Sequence, residues 1–293
     1  MSFETWSRLP AVIRHRLDGR GPRALLLAVV GGATLLWTLA AAAESAIVLP
    51  FPLSFGHFPA ATYDKSGDRI GGAVLSIRRI SEERVRLTVE TGMDGGANTK
   101  AEAEMAILEG DRGLRLLREQ SLAHGADGQP MDLLLIDHVA GHGSCTKDGG
   151  AGERRAVALP DEDRVVNVPL NLLFLPLVQG TTERVEFQFF LCGGGARLMD
   201  FRAKLAGEPR GTGSGSGQHR IIEVTYGPDL GEMVSTFAQV LLPNLSFWFE
   251  ADDRGTYLAH RMPLFSQGPE VMVVRDGLSL DAFVDNSGWS FLD

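Results

Sequence analysis

The chain has 293 residues, 44% hydrophobic and 22% charged, a composition that argues against wholesale disorder and suffices for a buried core in one large or two small domains. Its formal net charge is −9, and without residues 1–43 it holds 23 basic and 35 acidic side chains, a net charge of −12. That surplus, with no local run of lysine or arginine to offset it, argues against nucleic acid and anionic lipid surfaces as partners.

The first 43 residues read as an export leader. Arg8, Arg14, Arg16, Arg20 and Arg23 precede an uncharged stretch over residues 24–43, long enough as a helix to cross a bilayer. The stretch ends in Ala41, Ala42 and Ala43, with Ala41 and Ala43 at the −3 and −1 positions of a signal-peptidase site if cleavage precedes Glu44. Positive charge on the N-terminal side only keeps that end in the cytoplasm and directs residues from Glu44 onward outside. The expectation is a periplasmic or otherwise exported domain, released by cleavage or anchored in the inner membrane by residues 24–43; uncleaved, that segment is its membrane contact.

Residues 44–60 follow as an extended lead-in segment, with Pro50, Pro52 and Pro59 among Phe51, Phe55 and Phe58, expected on the surface of the domain. From residue 61 to 276 the pattern is mainly one of β-strands. Ala73, Leu75 and Ile77 share one face and Val85, Leu87 and Val89 another, a hairpin across Ser81 to Glu83. Further strands are predicted at Ala101 to Met105, Leu114 to Ser121 and Met131 to Val139, and Gly141 to Gly152 is a loop by composition. Leu170 to Leu177, crowded between Pro169 and Pro176, is too continuous for a half-exposed strand and predicts a short buried helical turn, Pro169 near its start and Pro176 at its end.

Alternation returns in Val185 to Leu191, with Leu198 and Phe201 to Leu205 as a partner strand, and Gly207 to Gln218 reads as a flexible loop or hairpin tip. A strand at Ile222 to Tyr226 precedes Glu232 to Leu242, where Met233, Phe237, Val240 and Leu241 recur at helical spacing. The last strands are expected around Leu245 to Phe249, Tyr257 to Ala259 and Val271 to Val273, before a tail over 277–293. About ten hairpin-connected strands and two short helices describe one antiparallel sheet, too wide to stay flat, in one domain.

Catalytic signatures fail on inspection. Ser144, Ser214 and Ser216 lack the flanking glycines of a nucleophile elbow, and no glycine run has dinucleotide-binding spacing. Asp64, Ser66 and Asp68 imitate a calcium loop, but Arg69 and Leu75 occupy its obligatory glycine and glutamate places. His138, His142 and Cys145 are three competent metal ligands within eight residues, but the set is incomplete for zinc, and solvated loop histidines with a bridged cysteine are the competing structural reading. His260 and Arg261, beside Tyr257, either grip an anion or lie on a solvated strand face. No catalytic residue, metal or cofactor is assigned. Cys145 and Cys192 are the chain's two cysteines; an exported location permits a bridge between them, and two separate buried thiols fit the spacing as well.

The order of parts resembles an exported bacterial family, domain of unknown function 3108. The resemblance rests on Tyr63 with the strand Gly71-Gly72-Ala73-Val74-Leu75-Ser76-Ile77, on the leucine-rich stretch Pro169 to Gly180, on the strands Val185 to Leu191 and Phe201 to Leu205, and on Leu245-Ser246-Phe247-Trp248-Phe249 with the later Pro263. It implies a half-barrel similar to the periplasmic lipoprotein carriers, two short helices lying against its concave face. A sheet of this kind leads to an envelope protein binding a lipid or lipoprotein acyl chain, with Leu172, Phe174, Phe187, Phe189, Phe237, Phe247 and Trp248 as expected lining. The bland reading makes the same residues core. Two other functions are a structural or assembly protein binding an envelope partner along a sheet edge or residues 47–59, and a metal- or thiol-dependent enzyme using the His138 to Cys145 loop.

Overall fold

In the computed structural model, residues 47–284 are described apart from 53, 161–163, 194, 213–218, 230–244, 253 and 265–267. The leader and the predicted helix Glu232 to Leu242, with Phe237, lie outside the described residues. The strands are β1 (Val48–Leu49), β2 (Gly56–Tyr63), β3 (Arg69–Ser81), β4 (Arg84–Met93), β5 (Asn98–Ile107), β6 (Leu114–His124), β7 (Leu133–Asp137), β8 (His142–Thr146) and β9 (Arg154–Ala158). After two helical turns, α1 (Leu170–Leu173) and α2 (Leu175–Val178), come β10 (Val185–Leu191), β11 (Arg197–Leu205), β12 (Arg210–Thr212), β13 (His219–Pro228), β14 (Leu245–Glu250), β15 (Tyr257–Pro263), β16 (Glu270–Arg275) and the turn α3 (Asp281–Val284).

All the strands belong to one curved antiparallel sheet, ordered β10-β11-β13-β14-β15-β16-β2-β3-β4-β5-β6-β7-β8-β9, with β1 beside β6 and β12 beside β13. Most neighbours are hairpin partners, so local turns carry most of the topology. The β16–β2 pairing is the long-range step that joins the end of the domain to its beginning.

Two segments are more ordered than their composition predicts. The lead-in segment is woven into the sheet: Leu49 pairs with Leu114 and is fully buried, and residues 56–60 form the first part of β2, so the sheet begins before residue 61. Pro59 is tolerated in β2 because it lies just past the end of the β16 ladder, whose last pair is Arg275 with Ala60. Within Gly141 to Gly152, residues 142–146 are β8, laddered to β7 on one side and β9 on the other. Its glycine, serine and histidine look like loop residues, but glycine at 143 is what the packing requires. A Cβ there would come within 2.6 Å of the Phe190 ring.

The inward faces are graded along the strands. At one end, Ile77 and Leu87, then Val85, Met105 and Leu116, form a filled core with α1 and α2. At the other end the cross-strand row is Ala60, Ala73, Thr91, Thr99 and Ala123, each opposite the next. Large side chains fill the first end and small ones leave the second partly empty. Pro176 does not end the helical stretch; it begins a second turn, because Phe174 caps both α1 and α2 and the fixed φ of proline suits a first turn.

The ends of the ladder do not pair edge to edge. Phe187, Phe189 and Phe201 point into the main core, while the alternate residues Phe190 and Leu198 pack with Leu134, Ile136 and Cys145 of β7 and β8. One end of the sheet therefore lies face to face over the other. The free edge of β10 is covered by the strap 164–168: Gln188 N donates to Arg164 O, Val166 N donates to Gln188 O, and the Asn167 side chain both donates to Phe190 O and accepts from Phe190 N. The Cys145–Cys192 disulfide pins this overlap, with Cα atoms 5.5 Å apart.

On the outside, β13 to β16 are covered by the chain's last described residues. Leu278, Leu280, Phe283 and Val284 pack on Trp248, Leu258, Ala259 and Met272. The first part of the tail predicted over 277–293 is thus part of the domain.

Candidate functional site

The space left by the row of small side chains is a cavity of about 600 Å³ inside the curved sheet, within the range of small-molecule sites. Ala60, Ala73, Ala101 and Ala123 line one wall, and Phe189, Phe201 and Phe247 line the facing one. The α1 turn, through Leu170 and Asn171, lines it as well. Among the described lining residues there is no lysine or arginine; the carboxylate is the exposed Asp132.

Three polar side chains of the lining, Tyr226, Tyr257 and His260, surround Phe247. Its ring stacks on His260 at 5.2 Å and meets Tyr226 at 5.9 Å. The Tyr257 hydroxyl lies 2.6 Å from His260 Nδ1. Burial lowers the His260 pKa to about 4 and raises those of Tyr226 and Tyr257, so at neutral pH the imidazole is uncharged and both phenols keep their protons. Among the described residues the buried Tyr226 hydroxyl has no hydrogen-bond partner.

The residues predicted to line a ligand space are distributed by this geometry. Phe189 and Phe247 border the cavity. Leu172, Phe174 and Phe187 belong to the filled core at its base, each at most 3% exposed. Trp248 alternates to the outer face and meets Phe283, ring centroids 5.8 Å apart. It looked like lining because the tail makes both faces of β14 apolar. Phe237 lies outside the described residues.

The three candidate metal ligands are separated. Cys145 is bonded to Cys192, and His142 Nε2 faces the Arg154 guanidinium at 3.3 Å. His138 Nε2 meets Glu119 Oε1 at 3.1 Å. Among the described residues no cluster of three or more histidine, cysteine or acidic side chains could hold a metal ion. His260 and Arg261 do not form an anion grip either: on adjacent positions of β15 they face opposite sides, and Arg261 pairs outside with Glu270 at 3.4 Å.

Sequence reasoning missed Glu119, which is fully buried on β6 at the base of the overlap. Its Oε2 accepts from Asn167 N at 2.9 Å and Val168 N at 2.6 Å, so one carboxylate ties the strap to the sheet. Read in sequence it is one of many acids; only the fold brings the strap to it. Glu119→Gln keeps the size but leaves one neutral acceptor oxygen where the carboxylate has two charged ones serving the strap and His138, and should cost about 1–3 kcal/mol, read as a lower urea midpoint. An unchanged midpoint would mean the strap is held by β10 alone.

Fold and cavity together define a β-barrel-like domain: a single rolled antiparallel sheet around an apolar space. No protein-family model matches the chain, and no curated protein does. Among solved structures it is similar to the beta-barrel-like protein of domain of unknown function DUF1849 from Brucella abortus, at 9% identity and a TM-score of 0.42, covering 76% of this chain and 96% of that one. Assignment to domain of unknown function 3108 or to the lipoprotein carriers does not follow from these comparisons.

Proposed function

We propose that this is an exported cell-envelope protein that binds an apolar or acyl-bearing molecule, such as a lipid or a lipoprotein acyl chain, in the cavity between the sheet and α1. The observation that carries the reading is the cross-strand row Ala60, Ala73, Thr91, Thr99 and Ala123, which leaves about 600 Å³ unfilled beside a core that is otherwise packed with large side chains. The leader of residues 1–43 and the Cys145–Cys192 bridge support the exported location. The reading includes no catalytic step.

The protein purified from the envelope fraction of cells that make it should carry about one apolar molecule per chain, seen as an added mass in native mass spectrometry and lost on solvent extraction. A chain that comes out empty and also fails to take up a fluorescent acyl probe refutes ligand binding. Recovery of the protein from the cytoplasm with both cysteines reduced refutes export.

A further inference from the structure

Resting on the ligand-binding reading above, we infer that the cavity selects an apolar molecule whose head is an uncharged hydrogen-bond acceptor, an ester or amide carbonyl, and discriminates against carboxylate, phosphate and ammonium heads. The first support is the charge of the walls. A buried anion needs a cationic partner, and the described lining supplies no lysine or arginine. Its carboxylate, Asp132, stands exposed, where it repels an incoming anion and does not serve as the buried partner that an ammonium head needs.

The second support is the unsatisfied donor. Tyr226 lines the cavity at 5% exposure, and its hydroxyl has no partner among the described residues, although buried donors are normally paired. A carbonyl oxygen reaching it would supply the missing acceptor. On the same wall, across the Phe247 ring, His260 uses Nδ1 against Tyr257 and is left with Nε2 as its other polar atom. Burial holds this ring neutral, so it offers a hydrogen bond without the positive charge an anion requires.

The test uses the full-length exported protein, stripped of bound molecules, and four probes of equal chain: dodecane, methyl laurate, laurate and dodecylammonium, compared by displacement of one fluorescent probe. Methyl laurate should bind about tenfold tighter than each of the other three. Tyr226→Phe should bring methyl laurate to within about twofold of dodecane and leave dodecane unchanged. Because this variant removes only an unpaired hydroxyl, it should fold as stably as the parent. Laurate or dodecylammonium binding as tightly as the ester overturns the inference while leaving the cavity reading intact, and so does a Tyr226→Phe protein that keeps the full preference for the ester. Selectivity among the probes in the parent protein decides the matter even if the variant misfolds. If none of the four binds, the ligand-binding reading falls with it.

Discussion

Reducing the Cys145–Cys192 bridge, or replacing both cysteines by alanine, should lower the free energy of unfolding by about 4 kcal/mol. The two residues are 47 apart in sequence, and the entropy that a loop of that size removes from the unfolded chain amounts to about 4 kcal/mol at room temperature. The bridge joins parts of the sheet that share no ladder: β8 lies next to one end of the strand order, and Cys192 directly follows β10 at the other. Urea unfolding with and without a phosphine reductant measures the effect directly. A midpoint that does not move would show that the packing of Phe190 against Gly143 and the strap 164–168 hold the overlap without help.

Phe174→Ala should cost about 3–5 kcal/mol, the usual range for emptying a fully buried aromatic site. The ring is completely buried at the junction of α1 and α2 and meets Tyr226 at 5.3 Å, Phe247 at 5.4 Å and Phe187 at 5.9 Å. These neighbours come from three strands, so the ring fastens the helical turns to the sheet that carries the cavity. Phe174→Leu should lose roughly half as much, since it retains much of the volume. Denaturation of the two variants side by side separates packing from any local distortion. A loss under about 1 kcal/mol for the alanine variant would mean that α1 and α2 sit outside the cooperative core.

Alternation made much of this fold legible. Leu75, Ile77, Val85 and Leu87 announce their faces by period, and β3, β4, β6, β7, β10, β11 and β13 to β16 all occur where that pattern predicts them. Where two faces are buried, or where a strand is built of small residues, the pattern fails. β8 reads as loop because Gly143 must make room for a ring that is 47 residues away in sequence, and Trp248 reads as lining because the tail buries its face. The cavity itself was the least legible feature. Ala73, Thr91, Thr99 and Ala123 are unremarkable singly and form an empty row only once the register of four strands aligns them. Large aromatics drew attention as lining, yet in a packed interior large side chains fill space and small ones leave it. The bridge needed three dimensions too, since sequence spacing is silent on proximity.

In a closed barrel the number of strands and their stagger fix the diameter, so the bore is a geometric constant of the fold. A sheet that laps over itself is governed differently: its girth depends on how far one end slides across the other, as with a rolled page. Here Cys145 and Cys192 act as the clasp that selects one girth, while Glu119 and Asn167 seat the strap beneath it. The size of the interior is therefore written in one covalent bond as much as in the strand count.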